Sequence, residues 1–442
     1  MVKGVAAPLG DGPDLKETLV ALKVDLDSQR TPLDNGLVLL VSENHKLPLV
    51  SLNAYVLAGQ DQNPAELPGL AAMTARMLDE GTRKFDYQEI AEQLEGVGGA
   101  LGIFSQRELS GVNLHLKTED LDLGLELLAE MVCRPVFPGQ RLELEREKVL
   151  NHLRAAQDDP ATVAADLFNQ VIYRRTPLQY PSLGIPESVE RMKVKDLVRF
   201  HSSRWGPAGT IIVVTGDVSA ADIRERVEAR FGTWTNPRLE RDVLPTIPKQ
   251  DCRLSETAVM DKEQVHILVG HLGVLRKNPD HHVLQVLDVI LGAGPGFTSR
   301  IPRRLRDEQG LAYSTYSDIS SSGGLYPGRF AAYICTSPEN RETALRGLMS
   351  EIVDLVEQGI TDEELQTAQD YLTGSFVFDV QSNAMVARFL LSVELFDLGA
   401  DYLDRYADRI RSVTRADVER VARLYLDTVN YTTIIVGPET QG

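Results

Sequence analysis

The chain is poor in several things that would have narrowed its class. It has three cysteines in 442 residues, Cys133, Cys252 and Cys335, odd in number and widely spaced. They form neither a disulfide framework nor a C-x-x-C metal knuckle, and they read as small buried hydrophobes. No apolar run approaches the ~20 residues that a membrane-spanning helix needs. The opening residues, MVKGVAAPLGDGPDLK, lack the apolar centre of a secretory signal. The expected compartment is therefore the bacterial cytoplasm, or the periplasm if a signal has been removed. Positive charge is also scarce, with 46 Lys and Arg against 64 Asp and Glu and a formal net charge of −18. A polyanion would be repelled, so nucleic acid and anionic membrane surfaces are poor partners. A basic or extended peptide would be tolerated or attracted.

What is present is ordinary for a globular protein. Residues that are 43% hydrophobic and 25% charged leave ample apolar side chain for real cores. The length exceeds what one core usually supports, which predicts two domains. An internal repeat points the same way. Leu127-Leu128-Ala129-Glu130-Met131-Val132 resembles Leu348-Met349-Ser350-Glu351-Ile352-Val353. Lys195-Asp196-Leu197 resembles Ala416-Asp417-Val418, and Val213-Val214-Thr215-Gly216 resembles Ile434-Ile435-Val436-Gly437. All three pairs share one offset, half the chain length. The reading is a polar lead-in over 1–30, a first domain over 31–236, a linker over 237–253 containing Pro237, Pro245 and Pro248, and a second domain over 254–442.

Within the first copy, Leu37–Val41, Val50–Leu57, Leu101–Phe104 and Ser110–Leu116 read as strands. Glu66–Glu80, Tyr87–Val97, Leu121–Val132 and Gly139–Ala156 read as helices. This irregular order of strands and helices predicts an α+β fold and argues against a doubly wound parallel sheet.

The most informative stretch is LPGLAAMTARMLDEGT, Leu67 to Thr82. Pro68 and Gly69 open it, Gly81 closes it, and Leu70, Met73 and Met77 recur at helical spacing. On one i, i+3, i+4 face stand Ala72, Ala75 and Arg76. Two histidines with a carboxylate between them on such a face make a zinc-hydrolase helix. Here none of the three positions offers a ligand.

That stretch resembles the pitrilysin and mitochondrial processing peptidase family, whose pattern runs G-x-x-H-x-x-E-H-M-x-x-x-G-T. Gly69, Met77, Gly81 and Thr82 match it. The histidine positions fall on Ala72 and Arg76, and the general-base glutamate on Ala75. The family's third ligand, a glutamate in a context like E-R-x-x-apolar-apolar-x-E, falls on His152 after Glu145-Arg146-Glu147-Lys148-Val149-Leu150-Asn151. The resemblance continues through Gly184-Ile185-Pro186-Glu187-Ser188 and Gly216-Asp217-Val218. It includes Arg306-Asp307-Glu308-Gln309-Gly310-Leu311-Ala312-Tyr313-Ser314, similar to the family's Arg/Tyr motif. The resemblance implies two homologous domains of about 200 residues, each a β-sheet packed with helices, in a clamshell-like chain. It also implies that Arg306 and Tyr313 reach a peptide substrate, as fixed donors suited to a carbonyl and its developing oxyanion.

The glycine-rich loop Leu291 to Phe297, with Gly292, Gly294 and Gly296, is too irregular for a phosphate cradle. In zinc-less subunits of the family a loop in this region handles substrate, which makes these glycines substrate-binding candidates; this loop is short, and the competing reading is a plain flexible turn. Other features weigh less. Asp280-His281-His282 reads as a helix start. His266 and His271 fall on opposite faces of a strand. Arg300, Arg303, Arg304 and Arg306 read as a solvated helix face.

The resemblance implies a zinc-less subunit of a heterodimeric metallopeptidase, with no cofactor of its own. Zinc would be carried by a homologous partner with H-x-x-E-H. The competing expectation is a catalytically silent structural or peptide-binding protein resembling the core subunits of respiratory complexes. A self-sufficient metallopeptidase would need ligands that the sequence does not supply.

Overall fold

The structure, a computed structural model, describes residues 28–237, 239–295 and 298–439. The proposed lead-in lies outside them except for residues 28–30, which are not a lead-in but the start of a strand. The first half builds a six-stranded sheet from β1 (Ser28–Pro32), β2 (Val38–Glu43), β3 (Leu49–Val56), β4 (Ala100–Ser105), β5 (Ser110–Lys117) and β6 (Thr210–Gly216). Its order is β1-β2-β6-β3-β5-β4, antiparallel except where β2 runs alongside β6. Its helices are α1 (Leu70–Arg76), α2 (Tyr87–Gly96), α3 (Leu121–Cys133), α4 (Gly139–Gln157), α5 (Pro160–Ile172), α6 (Pro186–Arg191), α7 (Val194–Arg204) and α8 (Ala220–Phe231).

The second half repeats the plan. Strands β7 (Leu254–Val259), β8 (Val265–Leu272), β9 (Ser314–Asp318), β10 (Arg329–Thr336) and β11 (Thr432–Gly437) lie in the order β7-β11-β8-β10-β9, with β7 and β11 parallel. Helices α9 (His281–Asp288), α10 (Arg341–Gln358), α11 (Asp362–Ser375), α12 (Asn383–Leu395), α13 (Tyr402–Arg411) and α14 (Arg415–Tyr425) surround it. The three repeated sequence pairs fall on equivalent elements: α3 with α10, α7 with α14, and β6 with β11. Asp196 and Asp417 do the same job, each accepting the backbone N–H three residues back, from Lys193 (2.9 Å) and Thr414 (3.0 Å). Such a cap supplies an acceptor that the helix itself cannot. Glu130 and Glu351 are both buried, and each pairs with an arginine, Arg134 and Arg304.

Each sheet is covered on both faces, and the outer helix on one face comes from the other half. Helix α5 lays Ala164, Phe168 and Ile172 on Leu268, Ala331, Ile434 and Val436 of the second sheet. Helix α12 lays Val386, Ala387, Leu390 and Leu391 on Leu40, Tyr55, Ile211 and Val213 of the first. Burial on both faces is why Thr210–Gly216 and Thr432–Gly437 are almost continuously apolar and do not alternate. Among the described residues no single helix is long and apolar enough to cross a membrane.

Three expectations need correction. The helix read over Glu66–Glu80 is only Leu70–Arg76. Beyond Arg76 the N–H groups of Met77, Leu78 and Glu80 bond three residues back, to Thr74, Ala75 and Met77, so the last turn tightens and the helix ends. Cys252 is exposed and Cys133 half-buried, leaving Cys335 as the buried thiol. Arg300 is not on a solvated face: it is buried, forked onto the Glu364 carboxylate (2.6 and 2.8 Å) with a further bond to Gly359 O.

Candidate functional site

Helix α1 is positioned by backbone contact. Gly69 sits at φ +91° and Gly184 at φ +86°, both in the left-handed region. A Cβ on Gly69 would lie 2.3 Å from Leu183 O, and one on Gly184 would lie 2.1 Å from Pro68 O. The Ser188 hydroxyl donates to Pro68 O at 2.7 Å. Two short motifs more than a hundred residues apart are thus one contact, which seats the start of α1 against the Gly184–Ser188 loop.

On α1, Ala72 and Ala75 are buried. Arg76 points to α4, where its Nη2 and Nε meet Glu145 Oε2 at 2.8 and 3.0 Å. Lys148 Nζ holds the other oxygen of Glu145 at 2.5 Å. The Glu145 side chain is 5% exposed and that of Arg76 40%. Burial works to raise the Glu145 pKa, but the Lys148 and Arg76 cations outweigh it and hold the carboxyl below its ordinary range. Beside it Asp79 is pushed up to about 6 by burial, with Glu80 and Glu145 adding to the shift. Glu80 itself is paired with Arg141. The sequence reading missed Glu145 as a functional neighbour. The signal was there, because a guanidinium on a buried helix face requires a carboxylate nearby.

His152 lies seven residues beyond Glu145 on α4, hence on the same side of the helix, but it is exposed to a cavity between the halves. A zinc ion does not fit this set of residues. Ala72 and Ala75 have no donor atoms, Arg76 is permanently cationic, and His152 stands alone. Among the described residues no group of three or more His, Cys, Asp and Glu is placed to hold a metal.

Arg306 lies in a π-helical turn, Pro302–Glu308, that Gly310 ends at φ +65°. Its Nε donates to Asp307 Oδ1 at 2.8 Å. Tyr313 comes one residue before β9, where its N–H bonds Cys335 O at 2.9 Å and extends the ladder with β10. The residue is 81% exposed. Both groups are therefore carried by ordered backbone yet stay outside the core. Gly292 is buried, and a Cβ there would lie 2.4 Å from Ser317 Oγ; at Gly294 it would lie 2.6 Å from Ser299 Oγ. These two positions need glycine for close packing against β9 and the next turn. Gly296 lies outside the described residues.

The other histidines singled out in the sequence are held within the fold. His281 opens α9, and His282 stacks on Tyr402 at 5.5 Å. His266 Nδ1 meets Tyr333 OH at 2.7 Å, and His271 Nε2 accepts the Asp427 N–H at 3.0 Å.

Two halves with one sheet plan, each sheet covered on one face by a helix of the other half, define a class: a two-domain α+β chain of duplicated plan. Comparison with known proteins names the family. Residues 38–185 match the family model described as Insulinase (Peptidase family M16), and residues 191–372 match Peptidase M16 inactive domain. The chain belongs to peptidase family M16. It is similar to a protein called uncharacterized zinc protease in Streptomyces coelicolor, with 26% identity over 89% of this chain and 86% of that one. A protein of the same description in Mycobacterium tuberculosis is 27% identical over 93% and 94%. Among solved structures, a peptidase M16 inactive domain from Pseudomonas fluorescens shares the fold with a TM-score of 0.88 at 23% identity, covering 94% of this chain and 99% of that one. A protease from Helicobacter pylori does so with a TM-score of 0.86 at 21% identity, covering 93% and 100%.

Proposed function

We propose that this chain is the non-catalytic subunit of a heterodimeric zinc peptidase, assembled with a homologous chain that carries H-x-x-E-H and the metal. The observation that carries this reading is the Arg76–Glu145 pair, a cation locked into the position of a zinc ligand. Cleavage would belong to the partner. This chain would form half of the peptide chamber and present the Tyr313 phenol and the Arg306 guanidinium to a substrate carbonyl oxygen. Both are fixed donors whose bonds strengthen as charge grows on that oxygen. A purely structural role would leave an exposed phenol on an ordered strand start without a task.

The test is to purify the chain alone and with a homologous H-x-x-E-H chain, then measure zinc by elemental analysis and cleavage of a quenched peptide. The expected result is no stoichiometric zinc and no cleavage for the chain alone, and cleavage by the pair that exceeds the partner's own. One tightly held zinc per isolated chain with chelator-sensitive cleavage would overturn it. As a companion, Ala72→His, Ala75→Glu, Arg76→His and His152→Glu combined should recover zinc binding, although activity also depends on the groups that orient the ligands.

A further inference from the structure

Helix α12 presents two different faces. Val386, Ala387, Leu390 and Leu391 pack on the first sheet. Met385, Arg388, Phe389 and Ser392 follow the i, i+3, i+4, i+7 stripe on the opposite side. That second face looks back on its own half across a cavity of about 360 Å³, within the range of small-ligand pockets. The rest of the wall comes from α9, α13 and the turn Phe376–Val380 that joins α11 to α12. This cavity shares no lining residue with the one that His152 faces.

The wall is aromatic. The Phe376 and Tyr406 rings stack at 3.9 Å, Phe389 meets Phe376 edge-on at 6.0 Å, and Tyr402 lies 6.1 Å from Phe389. All four rings line the space. Such a wall favours a ligand with a ring of its own, because paired rings gain more than their buried area alone provides.

The charge is positive. Arg276 and Arg388 line the cavity, and Asp379 is the one carboxylate among the lining residues. Arg276 Nη2 donates to the Tyr402 hydroxyl at 3.0 Å, and this arginine has no ion pair among the described residues. Arg388 is exposed at the mouth and makes neither a hydrogen bond nor an ion pair among them. It acts through space on Asp379 and on the Tyr55 phenol. The Arg276 charge also reaches His281 and His282, adding to the burial that holds both imidazoles below their ordinary range. In a chain of net charge −18, the aromatic wall thus carries a local excess of positive charge. A guanidinium holds a planar acid group by paired hydrogen bonds.

We infer that this cavity binds a small anionic aromatic molecule, with its ring against the Phe376, Phe389, Tyr402 and Tyr406 wall and its acid group on Arg276 and Arg388. The site is built from the second half alone, goes beyond the subunit reading above and does not depend on it.

The test uses the purified full chain and two fluorescent dyes with one ring framework, anilinonaphthalene sulfonate and its uncharged parent, N-phenylnaphthylamine. The sulfonate should bind about 10- to 100-fold more tightly, the range expected for hydrogen bonds to a charged group. Arg276→Gln with Arg388→Gln should bring the two affinities together and leave the uncharged dye binding as before. Arg388→Gln alone should cut the preference by about 3-fold or more without moving the melting temperature, since that side chain makes no bond in the fold. Ser392→Trp puts an indole into the space and should abolish binding of both dyes. Equal affinity of the wild-type chain for the two dyes would overturn the inference, as would a preference that survives the double arginine variant. If that variant melts early, Arg388→Gln decides in its place, and an unchanged preference there rejects the site. A dye signal that persists in a folded Ser392→Trp chain would put the dye elsewhere and reject it as well.

Discussion

The corner around Arg76 and the segment bearing Arg306 and Tyr313 are opposite outcomes in one chain. In the first, the side chains at the metal positions have been absorbed into the structure: two alanines are buried, and a guanidinium is tied to a carboxylate that a lysine also holds. In the second, a phenol stands 81% exposed just before a paired strand, and Arg306, seven residues earlier, pairs with the adjacent Asp307. A charge set against a core must be satisfied by packing, because unpaired buried polar groups are expensive. A group that acts on an external molecule must stay available. The difference gives separate signatures for substitution in the two regions.

The largest effect is expected at the exposed segment. Arg306→Ala with Tyr313→Phe should lower kcat of the reconstituted complex by about 10²–10³-fold, the usual loss for an oxyanion donor. Melting temperature and assembly, followed by light scattering, should stay near wild type. Unchanged turnover at full assembly would favour the silent structural alternative.

At the Arg76 corner the effect should appear as stability. Glu145→Ala removes the partner of two cations and should cost about 2–3 kcal/mol in denaturant unfolding, below the 3–5 of a fully buried pair because the Arg76 side chain is 40% exposed. A loss under about 0.5 kcal/mol would mean the pair is only a surface contact.

The smallest effect is pH-dependent. Burial holds the Asp79 carboxyl up at about 6 in the fold, above its ordinary range, so its contribution is fully present below pH 4 and is lost as pH rises through 6. Asp79→Asn keeps a neutral group there. It should gain about 1–2 kcal/mol on wild type between pH 4 and 7 and converge with it below pH 4. Unfolding curves with parallel pH dependence would contradict the assignment.

Much of this was legible before any coordinates. The three repeated pairs, beginning at Leu127 and Leu348, land on matched helices and strands because capping carboxylates and apolar strands are local devices that survive duplication. Gly69 opens α1 as the sequence suggested, since only backbone without a Cβ sits easily there.

What the sequence determined by itself, then, is the two-part α+β plan and the family it belongs to, both carried by residue type at short spacing. Only the tertiary structure decided which sheet α5 and α12 cover, that Glu145 answers Arg76, and that Arg300 is buried on Glu364. Apolar periodicity says that a helix face is buried but not against what. A charge likewise carries no local mark of the partner that the folded chain will bring to it.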